Sequence, residues 1–119
     1  VYNRSTRITK ALDSLKRQNF QNFETIVVDD ASTDDSYNVA SKFPLQNKIV
    51  IKNKENSERC TTRNNGVALA KGEYICFLDS DDAYLENHLQ TIYTEIQGKN
   101  TKGLYFTNAF ENFNFTDRK

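Results

Sequence analysis

Apolar residues fall along this chain in short blocks, and the period inside the blocks changes from one to the next. Ile8, Leu12 and Leu15 recur at helical spacing behind a capping Ser5, which predicts an amphipathic helix with Lys10, Lys16 and Arg17 on its other faces. Residues 23–28 are β-branched and apolar, predict a strand, and run straight into Asp29 and Asp30. Ser32 or Thr33 can cap a second helix reaching about Phe43, which Pro44 closes. Lys48–Lys52 predicts another strand, residues 59–70 another helix, and Lys71-Gly72 a turn.

The longest apolar run follows that turn. Residues 73–78 do not alternate, so they predict a strand buried on both faces, with Cys76 inside it. The run stops in Asp79, Asp81 and Asp82. Beyond it, residues 83–97 carry Leu85, Leu89, Ile92, Tyr93 and Ile96 at helical spacing up to Gly98. Residues 103–107 predict a last strand, and Phe110, Phe113 and Phe115 an edge strand or docking segment. Alternating helices and strands predict an α/β fold: a Rossmann-like, mostly parallel sheet with helices on both faces. Parallel strands bring their carboxyl ends to one edge, so Asp29-Asp30 and Asp79-Ser80-Asp81 are expected to face a shared crevice.

Composition narrows the function. The chain has 119 residues, enough for one domain, and its 16 basic and 16 acidic residues cancel, which argues against a nucleic-acid or membrane-surface protein. Cys60 and Cys76 form neither a CxxC pair nor a disulfide framework, which fits a reducing compartment. No stretch approaches the roughly 20 apolar residues of a membrane span, and no secretory signal is evident. Carboxylates as dense as Asp79, Asp81 and Asp82 repel one another unless a cation or donors hold them. Hard oxygen ligands suit Mg²⁺ or Mn²⁺, particularly beside a phosphate. The plainer reading is that Ser80, Asp81 and Asp82 cap the next helix.

Four blocks occur in order: Tyr2-Asn3, residues 28–34 (Val-Asp-Asp-Ala-Ser-Thr-Asp), Arg63-Asn64-Asn65-Gly66, and residues 72–82. Together they resemble the nucleotide-binding half of family 2 glycosyltransferases over nearly the whole chain. The resemblance implies a GT-A fold that binds a nucleotide-diphosphate sugar, most often a UDP-sugar, with Mn²⁺ or Mg²⁺, for inverting transfer to a carbohydrate or lipid-linked acceptor. In that reading Tyr2 lies against the uracil, and Asp30, assisted by Asp29, accepts a hydrogen bond from its ring N–H. Arg63 lies near the base or pyrophosphate, Asp79 holds the ribose, and Asp81 binds the metal. The implied setting is polysaccharide biosynthesis in the cytoplasm, with any hold on the inner face of a membrane coming from parts of the protein outside this sequence.

The chain departs from that family at several points. Glu58, Arg59, Cys60, Thr61 and Thr62 stand where the family has a glycine and small residues. A strand that should precede Tyr2, between those ending at Asp30 and Asp81, is missing, so a gap in the sheet is expected. The family's catalytic base lies in an acceptor-binding half; Glu111 and Asp117 are the late acids here and sit in no motif. The chain is therefore expected to be a fragment unable to transfer sugar alone, with its catalytic residue unassigned. Each site residue has an ordinary alternative: Tyr2 as core, Asp29 and Asp30 as turn and cap residues, Arg63 as a solvated helix residue. Gly66 and His88 read as structural and surface residues. Two competing functions are a Mg²⁺-binding signalling module like a response-regulator receiver, for which residues 104–108 offer no lysine, and a non-catalytic nucleotide-sugar binder.

Overall fold

A computed structural model describes residues 1–99, 103 and 104. Its elements run α1 (Ile8–Lys16), β1 (Thr25–Asp29), α2 (Ser36–Lys42), β2 (Lys48–Lys52), α3 (Glu58–Leu69) and α4 (His88–Gln97). β1 and β2 pair in parallel, in a register that sets Thr25 beside Lys48 and Asp29 beside Lys52. The fold is thus α/β around a parallel pair. Strand periodicity sorts its layers. Val27 packs with Ile8, Leu12 and Ala40, so α1 and α2 cover one face of β1. Val28 and Ile26 point the other way, toward Gly66 of α3.

Gly66 makes that second layer possible. A β-carbon there would stand 3.3 Å from Val28 Cγ2 and 4.0 Å from Ile26 Cγ2, so the helix rides against the strand through its bare backbone. The connection after β2 is less relaxed. Glu58, at the start of α3, has φ 65°, a left-handed conformation that disfavours a side chain; it stands where small residues were expected. At the other helix end on this sheet, the Lys48 ammonium donates to the carbonyls of Ala40, Ser41 (3.1 Å) and Phe43 (2.6 Å) and so closes α2.

Residues 73–78 depart from expectation. They join no sheet among the described residues, Ile75 and Phe77 are 45% and 55% exposed, and Cys76 is exposed too. Across a cleft from the run stands β1. On the edge opposite β2, Val1 is the residue that meets it: Val1 N donates to Val28 O and Asp30 N donates to Val1 O, both at 2.7 Å. Among the described residues no strand pairs with that edge, and residues 72–79 line the cleft beside it. The run is held at both ends instead. Glu24 Oε1 accepts from the backbone N–H groups of Lys71 (2.6 Å) and Gly72 (3.0 Å). Tyr84 donates its hydroxyl to Phe77 O at 2.7 Å and its N–H to Ser14 Oγ at 3.1 Å.

The other boundaries shift for local reasons. α1 starts at Ile8 behind Arg7, and the Ser5 backbone N–H is taken by Asp34. α2 starts at Ser36 because Ser32 accepts from Asn3 instead of capping a helix. α4 starts at His88, not residue 83, because the buried Gln18 takes Leu85 O (2.7 Å) with its Nε2 and Leu89 N (3.0 Å) with its Oε1. Leu85 is left 62% exposed. Of the last predicted strand only Gly103 and Leu104 are described, and they form no strand; the phenylalanine-rich tail lies outside the described residues.

Replacing Gly66 with valine should force α3 off β1 and cost about 1–3 kcal/mol, the usual penalty for overpacking. Thermal unfolding checks this: an unchanged midpoint would mean that α3 does not depend on close approach at Gly66.

Candidate functional site

The two acids that end β1 are both buried, and each is held differently. Asp29 is 1% exposed; its Oδ2 accepts from Ser32 N at 3.1 Å and lies 3.8 Å from the Lys52 ammonium, while Oδ1 has no partner among the described residues. Lys52 sits opposite Asp29 in the β register, donates to Ser32 O at 3.0 Å, and lies 5.8 Å from the Tyr37 ring centre. Asp30 is 5% exposed, and its Oδ1 accepts from Asn53 Nδ2 at 2.7 Å and Ser57 N at 2.9 Å. Burial alone would raise the Asp30 pKa, but these two donors, Thr62 and the Val1 amino group outweigh it and hold the carboxyl below its ordinary value. Asp30 is therefore a fixed anion at neutral pH.

A second set of hydrogen bonds ties the start of the chain to the loop after β1. Asn3 adopts φ 48°, which asparagine tolerates better than most residues. Its Oδ1 accepts from Thr33 N at 2.9 Å and Asp34 N at 3.3 Å, while its own N–H goes to Ser32 Oγ at 3.0 Å. Arg4 N donates to Ser36 Oγ at 2.8 Å, and Ser5 N to Asp34 Oδ2 at 3.1 Å. Hydrogen bonds from the Ser36 hydroxyl, then from the Ser36 and Ser5 backbones, hold the Asp34 carboxyl far below its ordinary pKa. The result locks Tyr2, 45% exposed, in place beside Asp30.

Both loops open on a cleft of about 1250 Å³ between β1 and residues 72–79. Tyr2, Asp30, Arg63, Asp79 and Asp81 all line it. Asp29 does not: it stands behind Asp30 and shapes the loop. Arg63 Nη2 lies 2.7 Å from Asp79 Oδ1, with its guanidinium 5.6 Å from the Phe77 ring centre. Arg7 Nη1 approaches Asp81 Oδ2 at 4.0 Å. Both pairs are at least 43% exposed, so each is worth under about 1 kcal/mol and is easily exchanged for a ligand. Asp82 donates its N–H to Asp79 O at 3.0 Å, closing the turn. No group of three His, Cys, Asp or Glu side chains converges on a metal position among the described residues. His88 lies outside the cleft lining, stacked 3.9 Å from the Tyr84 ring; burial lowers its pKa.

Three supporting residues escaped the sequence reading: Asn53, Asn65 and Lys52. Polar residues in or near loops carry no signal of their own. Only the three-dimensional meeting of β1, β2 and α3 gives them partners.

A family model described as Glycosyl transferase family 2 matches residues 1–118. The chain belongs to glycosyl transferase family 2. GlyG, a glycosyltransferase of Streptococcus pneumoniae, is 37% identical over 101 residues, covering 83% of this chain and 34% of GlyG. An Escherichia coli protein, the UDP-Glc:alpha-D-GlcNAc-diphosphoundecaprenol beta-1,3-glucosyltransferase WfaP, is 33% identical over 107 residues, 90% of this chain and 41% of WfaP. Among solved structures, Staphylococcus aureus TarS superposes with a TM-score of 0.77 at 31% identity, over 88% of this chain and 22% of TarS. The fold is accordingly GT-A, and this chain spans well under half the length of these relatives.

Within this family 2 domain, the Asn3 lock is testable by itself. Asn3→Ala should lower stability by about 1–2 kcal/mol through its lost hydrogen bonds, and Asn3→Gly by less, because glycine accepts the positive φ. Chemical denaturation of both variants is the measurement; a glycine variant as stable as the parent would mean that the side-chain bonds hold nothing.

Proposed function

We propose that this chain is the donor-binding part of an inverting glycosyltransferase that takes a UDP-sugar together with Mn²⁺ or Mg²⁺. One observation carries the reading: a buried, ionised Asp30 and an exposed Tyr2 share a cleft with Arg63, Asp79 and Asp81. Uracil presents a ring N–H that a carboxylate can accept, and Tyr2 offers it an aromatic face. Arg63, once it leaves Asp79, supplies a planar cationic fork for the pyrophosphate, and Asp79 is then free to accept from ribose hydroxyls. Asp29 contributes by fixing the loop beneath Asp30. The UDP-Glc in the name of WfaP supports a uridine donor, and that name's diphosphoundecaprenol supports a lipid-linked or carbohydrate acceptor.

The donor set suits a divalent ion held jointly with the nucleotide. Asp81 is a hard oxygen ligand on the cleft lining and is 45% exposed, and no cage of acids surrounds it among the described residues. Mg²⁺-type sites commonly use one or two carboxylates plus substrate phosphates. A cation bound there would offset charge on the leaving diphosphate. A general base must reach the acceptor hydroxyl to within about 2.6–3.2 Å, and Glu111 and Asp117 lie outside the described residues. We therefore assign donor binding, not transfer, to this stretch of chain. Among the described residues no helix is long and apolar enough to cross a membrane.

Calorimetry tests the reading. UDP with Mn²⁺ should bind, Mn²⁺ alone should bind far more weakly, and a chelator should weaken UDP. Asp81→Asn should lower metal-dependent UDP affinity by more than tenfold, over about 1.4 kcal/mol, while Asp82→Asn should matter less. UDP binding that ignores the metal, or equal losses at both positions, would overturn the assignment.

A further inference from the structure

Asp30 does not hold its own orientation. Both of its close donors, Asn53 Nδ2 and Ser57 N, go to the same oxygen, Oδ1. A carboxylate can only accept, so Asn53 must turn its amino group toward Asp30 and its carbonyl away. That carbonyl accepts from Asn65 Nδ2 at 3.1 Å, which removes the flipped alternative. The backbone of Asn53 is fixed as well, because its N–H continues the β ladder onto Asp29 O at 2.8 Å. A directional chain of donors therefore runs from Asn65 on α3, through Asn53 after β2, to Asp30 at the end of β1.

Two donors on Oδ1 fix the plane of the carboxylate, Thr62 is a further partner from α3, and each carboxylate oxygen has two lone pairs, so Asp30 on the cleft lining can still accept from a ligand. We propose that Asn53, held by Asn65, is a positioning residue that aims Asp30 at a pyrimidine ring N–H and so sets selectivity for uracil over cytosine. Cytosine presents a bare acceptor nitrogen at the equivalent ring position, which a rigid carboxylate repels. A carboxylate free to rotate, or to protonate and donate, would discriminate less. This rests on the reading that Asp30 meets the base.

The charged groups near Asp30 are the Val1 amino group, the neighbouring Asp29 with Lys52, Glu58, Arg59 and Arg63 of α3 on the same cleft, and Asp79 and Asp81 on its opposite wall; α3 also contributes the neutral Thr62. They are common to parent and variants, so a difference between them reports the lost amide. Asn53 is among the donors that hold the Asp30 carboxyl below its ordinary value. UDP binding through the ionised form is present above the Asp30 pKa and lost as pH falls through it, and removing Asn53 moves that loss to higher pH.

The experiment measures UDP and CDP affinity, each with Mn²⁺, from neutral pH down through the ordinary carboxylate range and below it for the parent, Asp30→Ala, Asn53→Ala and Asn65→Ala, with thermal unfolding at each pH to verify folding. The parent should prefer UDP, and Asp30→Ala should abolish the preference. Asn53→Ala should lower UDP affinity at least fivefold at neutral pH, shrink the preference by a similar factor, and shift the acid limb upward. Asn65→Ala should move all three in the same direction by less, and it carries the test should Asn53→Ala not fold. A parent without UDP preference would overturn the base reading and this inference with it. A parent whose preference depends on Asp30 but survives unchanged, with its acid limb, in both asparagine variants would overturn the positioning role alone.

Discussion

Two adjacent carboxylates buried at the end of one strand impose the main constraint on this fold. A buried charge is costly unless it is paired or hydrogen-bonded, so everything around Asp29 and Asp30 must supply donors. Asp29 recruits Lys52 from β2 and the backbone of Ser32; Asp30 recruits Asn53, Ser57 and the edge residue Val1. These partners come from every segment that meets at the carboxyl end of the sheet. The loop geometry there is thus a consequence of solvating two charges with protein. Asn3 and Asp34 extend the same device outward to the loop that carries Tyr2.

The opposite wall of the cleft is built on a different principle. Asp79 and Asp81 are half-exposed and meet Arg63 and Arg7 in solvent, where such pairs are weak and labile. Burial makes the Asp29-Asp30 wall rigid and specific; exposure makes the Asp79-Asp81 wall adaptable. That division suits a ligand whose base must be recognised and whose diphosphate, with its cation, must be accommodated. Residues 72–79 are held by Glu24 at one end and, toward the other, by Tyr84, whose phenol burial pushes above its ordinary pKa and so keeps as a donor.

Much of this was legible in the residue pattern, and the failures have a common physical cause. β1 and β2 follow directly from their apolar runs because each finds the partner that the pattern implies, whereas α3 meets β1 through Gly66 and leaves Val67 and Leu69 exposed. Residues 73–78 carry an equally apolar pattern yet join no sheet among the described residues, since apolarity alone names no pairing partner. Residues 83–87 have helical spacing yet stay irregular, since Gln18, which reads as a helix-ending polar residue, turns inward and takes their hydrogen bonds. That Tyr2, Asp30, Arg63, Asp79 and Asp81 would share one cleft was readable from the order of the motifs. The hydrogen bonds from Asn65 to Asn53 and from Asn53 to Asp30 were not, since an asparagine in a loop, or inside a motif such as Arg63-Asn64-Asn65-Gly66, shows no sign in sequence of its partner.

The central claim is that the nucleotide sits where the rigid wall meets the adaptable one. Amide chemical-shift mapping during a UDP titration with Mg²⁺, which leaves the signals sharp, tests it most directly. The expected result is a contiguous set of perturbed amides at residues 2–4, 30–33, 57 and 79–82, with Leu45, Gln46 and Lys48, at the far end of the sheet and off the cleft lining, unmoved. Shifts centred on the far end, or spread evenly with no preference for the cleft, would contradict it.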